Sequence, residues 1–100
     1  MTTFQQPLTP ESVTVSSTAV GITARPGGSG LLAFAAVLTV ESNPIRYWTG
    51  GTDPTASVGI LVNAGGVIEL TGRTEINRFR AIRTGSDATL RVQPYLEYRD

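Results

Sequence analysis

The sequence predicts an all-β domain: an antiparallel β-sandwich or barrel of about seven short strands, with one short helical turn near 74–79. Three observations predict it. Short runs rich in β-branched and aromatic residues recur along the chain, and Gly, Pro, Asn, Asp and Ser punctuate them at brief intervals. The chain has 100 residues with 40% apolar content, enough for one core and too little for two. Residues 1–10 read as an extended N-terminal arm and 11–100 as a single β-sandwich domain.

The arm, MTTFQQPLTP, has no hydrophobic period and carries Pro7 and Pro10, which leaves Phe4 and Leu8 as its apolar anchors. It is too polar and too proline-broken to join a core. Extended, ten residues reach roughly 30 Å, far enough to lie over a neighbouring subunit. Along 11–23, Val13 and Val15 sit on odd positions and Val20 and Ile22 on even ones. Side chains change face at each strand residue, so this shift requires a bulge or turn near Ser16-Ser17-Thr18. Residues 25–30, RPGGSG, are a loop by composition; they lack the Gly-Lys-Ser/Thr ending of a phosphate-binding loop.

Residues 31–40, LLAFAAVLTV, carry helix-favouring Leu and Ala, but their length and the Thr39-Val40 ending favour a strand. Alternation then directs Leu32, Phe34, Ala36, Leu38 and Val40 to the core, and Leu31, Ala33, Ala35, Val37 and Thr39 outward. An outward apolar stripe suits a partner surface. The alternative is a central strand covered on both faces by the same chain.

The stretch 44–72 organises the rest. Ile45-Arg46-Tyr47-Trp48 is strand-like, and residues 50–55, GGTDPT, form a punctuated loop. Residues 58–62 and 67–70 read as a hairpin about the turn Asn63-Ala64-Gly65-Gly66. Tyr47 and Trp48 are adjacent, so a strand sends them to opposite faces. The simpler arrangement buries Trp48 and exposes Tyr47; the other use of the pair is a platform for stacking a sugar. Further on, Thr74 is a candidate N-cap, with Ile76 and Phe79 at helical spacing. Residues 79–83 and 88–92 are two strands joined through 84–87. Pro94 cannot donate to a ladder, so the last strand is expected at an edge, or to end there.

Composition removes much chemistry. With no cysteine there is no disulfide, thiolate nucleophile or cysteine-bearing zinc site, and with no histidine the commonest general base is missing. The carboxylates are scattered without a shared spacing. No catalytic residue, metal site or cofactor is expected, and the chain is read as no enzyme. Eight basic residues, all arginine, balance eight acidic ones, so no pull towards nucleic acid or an anionic membrane is expected. The opening residues lack a basic region followed by an apolar run, which argues against a signal peptide. The longest apolar run is about half of what a membrane-spanning helix needs. Arg73, Arg78, Arg80, Arg83 and Arg91 cluster late in the chain. Arg80 and Arg83 have opposite strand parity and form no continuous basic stripe. Solvated faces with local ion pairs, or pairing with carboxylates of a neighbouring subunit, are the two uses open to them.

Two stretches carry a resemblance. Ile45-Arg46-Tyr47 followed by Gly51-Thr52-Asp53-Pro54-Thr55, and later Phe79-Arg80-Ala81-Ile82-Arg83 followed by Ala88-Thr89-Leu90-Arg91-Val92, resemble small β-sandwich proteins encoded among virion genes of tailed bacteriophages and prophages. The likeness spans roughly residues 12–94. It implies an immunoglobulin-like or jelly-roll-like sandwich serving as a non-enzymatic virion structural protein, assembled in the host cytoplasm. A capsid decoration or cement protein is the expected form, a homo-oligomer gripping the major capsid protein or other virion proteins; a head–tail or tail accessory component fits the same resemblance. Phe4, Leu8, Ala33, Ala35, Val37, Arg80, Arg83 and Arg91 are the candidate interface residues. A shorter piece, Arg46-Tyr47 through Thr55, is similar to the Tyr-x-x-Asp-Gly-x-x-Pro-Thr turn of Ig-like domains appended to chitin-degrading enzymes, with Gly50 where that pattern has Asp. It implies the alternative, a carbohydrate-binding or adhesive module using Tyr47 and Trp48.

Overall fold

Strand register builds two sheets packed face to face. The computed structural model describes residues 3–22 and 33–99, with side chains described for 7–22 and 33–96. In order, the elements are β1 (Thr3–Pro7), β2 (Glu11–Val15), β3 (Ala35–Glu41), β4 (Ile45–Trp48), β5 (Ile60–Val62), β6 (Val67–Thr71), α1 (Arg73–Arg78), β7 (Arg80–Arg83) and β8 (Ala88–Arg99). The larger sheet runs β1-β8-β3-β6, with β2 also paired to β8; the smaller runs β5-β4-β7. All of these pairings are antiparallel. The expected all-β sandwich with one short helix is what forms. The glycine-rich loop expected at 25–30, Leu31, Leu32 and the side chain of Phe4 lie outside the described residues.

The core sits between the sheets. Ala36, Leu38 and Val40 of β3 stand in register with Leu70 and Ile68 of β6 on one side, and with Pro94, Val92 and Leu90 of β8 on the other. Ile45, Ala81, Phe79 and Ile76 complete the same buried cluster. Each large apolar side chain so buried contributes about 1.5–3 kcal/mol. The even-numbered half of β3 therefore faces inward as alternation requires. The odd half does not behave as one outward stripe. Val37 is 36% exposed, but Ala35 is only 7% exposed and Ala33, at 1%, belongs to the core. A bend at Phe34 ends the strand's alternation and turns Ala33 in. Ala35 stays on the outer face, between its register partners Tyr95 and Thr71, which leave a small side chain little access to water.

Several segments read as turns within a sheet are crossings between sheets. The phase change after Val15 is one. Val13 and Val15 line the larger sheet, the chain bends at Ser17-Thr18, and Val20 then bridges Ala81 of the smaller sheet. The expected hairpin 58–70 is another: β5 pairs with β4 and β6 with β3, so the two strands do not pair with each other. Residues 63–66 carry the chain across, held by bonds from Gly66 N to Asn63 O and from Gly65 N to Val40 O. Gly65 sits at φ +90, where a β-carbon would be strained. The link 84–87 likewise joins β7 to β8 across the sandwich.

Three further expectations are corrected by packing. Thr74 is not the helix cap: Gly72 holds that position, Thr74 is inside α1, and Glu75 Oε1 accepts from Thr71 N at 2.7 Å. Ile76 of α1 and Phe79 just after it are both buried. Pro94 does not mark an edge, because β8 continues through it as an interior strand between β3 and the pair β1 and β2. Its carbonyl accepts from Leu8 N at 2.9 Å. Carbonyl and amide of one strand residue point the same way, so the missing N–H faces the gap between β1 and β2. The amide of Gln93 fills in: Nε2 donates to Leu8 O at 2.9 Å. Finally, residues 3–7 are not a separate arm. They pair with Tyr95–Arg99 of the same chain, and Leu8 packs against the core.

Candidate functional site

The outer face of the smaller sheet carries the most chemically distinctive surface. Ile45 and Tyr47 turn inward from β4, and Tyr47 stacks on Phe79 with ring centroids 5.5 Å apart. Trp48 consequently turns outward, the reverse of the simpler sequence arrangement. With Gly50, Thr52 and Val58 it lines an open, almost wholly apolar depression of about 400 Å³.

The loop beside Trp48 is shaped by specific bonds. Arg46 donates from Nε to Ala56 O at 3.1 Å and from Nη1 to Gly59 O at 2.9 Å. The Thr55 hydroxyl accepts from Ser57 N and Val58 N, a side-chain turn that aims Val58 at solvent. Pro54 is buried beneath the loop, and Gly59, at φ +138, brings the chain close to Arg46 and Pro54, where an added β-carbon would meet atoms of both at 3.1 Å. Arg46 is thus spent on holding the loop, and the surface that the loop offers is apolar.

The outer face of the larger sheet is more polar. Arg91 pairs through Nε with Glu41 at 3.0 Å and donates from Nη1 to Ser12 Oγ at 2.7 Å, so one guanidinium ties β8, β3 and β2 together. Val37 lies between two shallow grooves there, one lined by Pro10, Ser12 and Gln93 among others, the second by Ala35, Glu69 and Tyr95 among others.

The residues proposed from sequence do not converge on one surface. Val37 and Arg91 share the larger sheet's outer face. Arg80 lies on the opposite side of the molecule, in register with Trp48, and its Nη1 donates to the carbonyls of Asn77 and Phe79 at the end of α1. Arg83 is bonded to Asp87 at 2.5 Å within its own loop. Leu8 is half-buried against the core, and Ala33, at 1% exposed, is part of it and offers no outward surface. Arg80, Arg83 and Arg91 thus each hold a bond within the chain.

Sequence reasoning missed the large apolar residues that are most exposed. Val58 (56%), Ile60 (46%), Leu61 (48%) and Val67 (59%) stand open to solvent although they are large and apolar. A signal was available: no charged residue lies between Asp53 and Glu69. Among the described residues, no group of three or more acidic side chains gathers as a metal-ligand set, and no helix is long and apolar enough to cross a membrane. No protein-family model, curated protein or solved structure matches this chain.

Proposed function

We propose that this chain is a non-enzymatic structural protein of a bacteriophage virion, decorating or cementing the head through many copies that grip the major capsid protein or other virion proteins. The observation that supports this most directly is how the resembling stretches meet. Residues 45–48 and 80–83 lie more than thirty positions apart in sequence, yet they are adjacent strands β4 and β7, with Tyr47 stacked on Phe79. Two of the resembling pieces are thus neighbours in the smaller sheet, while the piece at 88–92 lies in β8 of the larger one. An apolar surface shaped by a bonded loop suits repeated weak contacts, which symmetry and simultaneous engagement multiply. The test is co-sedimentation of the purified chain with heads of the phage or prophage whose genome encodes it. Saturable binding at a fixed number of copies per particle is expected; absence of binding refutes the proposal.

A second reading is a carbohydrate-binding or adhesive module. Outward, half-buried Trp48 beside an apolar depression favours it, since sugar stacking needs a ring that reaches the surface. Tyr47 is committed to Phe79 and drops out of that platform. Titration with oligosaccharides separates the readings: saturable quenching of Trp48 fluorescence that Trp48→Ala abolishes, with no affinity for heads, selects the module.

A further inference from the structure

One side of the sandwich is built to be covered, and we infer that a second copy of this chain covers it, by antiparallel pairing of β5 with its symmetry mate. β5 and β6 are the terminal strands of their sheets and are joined by 63–66, so both free edges lie on the same side. Exposed large apolar residues mark both edge strands: Ile60 and Leu61 on β5, and Val67 on β6, where it faces the outer side of the larger sheet. Natural sheets guard such edges with charge, proline or bulges. Here the run from Thr55 to Ile68, which holds all of β5, contains no charged residue and no proline; on β6 the one charge is Glu69.

The same features select the occupant. An edge strand is self-complementary about a two-fold axis, because antiparallel copies exchange the same backbone donors and acceptors. An uncharged strip meets its own copy without like-charge repulsion, whereas it offers a foreign partner no charge pattern to recognise. Full overlap of the three-residue strand centres the axis on Leu61, setting Leu61 opposite its mate and Ile60 opposite the mate of Val62. This inference concerns the chain alone and stands whether or not the chain belongs to a virion.

Sedimentation velocity of the full chain across a concentration series tests it, together with two variants. The wild-type mass should rise from monomer to dimer. Leu61→Lys should weaken association at least tenfold, about 1.4 kcal/mol, with melting unchanged, because Leu61 is solvent-facing. The chain has no cysteine, so a single Leu61→Cys gives a clean second readout. Directly opposed strand residues have Cα atoms about 4.5–5.5 Å apart, within disulfide reach, so this variant should cross-link into a dimer under a thiol oxidant. Thr14→Cys, on the opposite edge strand β2, should not. A wild type that stays monomeric, dimers indifferent to Leu61→Lys, or equal cross-linking at Thr14 would each overturn the inference. Dimerisation through Leu61 without binding to heads would support it while refuting the virion proposal.

Discussion

Single side chains here repair what the backbone lacks. Gln93 is the clearest case, because its amide replaces the donor that Pro94 cannot supply to Leu8 O. Gln93→Ala should leave that part-buried acceptor unpaired and cost about 1 kcal/mol, a fall in Tm of roughly 4–8 °C for a domain of this size. Arg91→Ala removes a more exposed network with Glu41 and Ser12, where ion pairs are worth about 0–1 kcal/mol. Thermal melts of the two variants should therefore rank Gln93→Ala as the more damaging. The ranking is not visible in sequence, where Arg91 looks the more consequential residue and Gln93 only an outward strand position.

At the scale of elements, the 50–59 loop and the terminal strand each depend on a distant partner. Arg46→Met keeps the apolar stem but loses both carbonyl bonds to the loop. Amides of residues 55–59 should then exchange faster with solvent, while the melting of the domain changes little, since the core does not use Arg46. Deletion of residues 1–8 removes β1, the packing of Leu8 and the acceptor of Gln93. It should lower Tm; unchanged melting would instead fit a separate arm. Prolines at 7 and 10 suggested that arm, and they do break the segment. The break simply falls between β1 and β2, both of which pair with β8.

For the molecule as a whole, neighbouring residues of β3 report which face is the core. Leu38 is fully buried, so Leu38→Ala should cost about 2–5 kcal/mol, a large part of the roughly 5–15 kcal/mol that holds a typical domain together. Val37→Ser, one position away on the outer face, should stay within about 0.5 kcal/mol. Denaturant unfolding of both variants checks the contrast. The larger sheet carries most of this core, with β8 at its centre touching β1, β2 and β3. The smaller sheet presents the loop, Trp48 and the open edge of β5.

By itself the sequence determined the all-β class, most strand positions, the short helical turn near 74–79, and the inward even-numbered half of β3. These follow from local alternation, spacing and turn residues, which act over a few positions. Only the tertiary structure decided which strands are neighbours, because antiparallel pairing depends on contacts between residues tens of positions apart. Tight turns at 16–18, 63–66 and 84–87 look alike whether they close a hairpin or cross between sheets, so the apparent hairpin resolved into strands of two different sheets. The same long-range packing placed Pro94 inside a sheet, drew Ala33 into the core and turned Trp48 outward. Surface role is decided last, because an apolar side chain is open to solvent only when no other strand covers it, as with Leu61 on the edge strand β5.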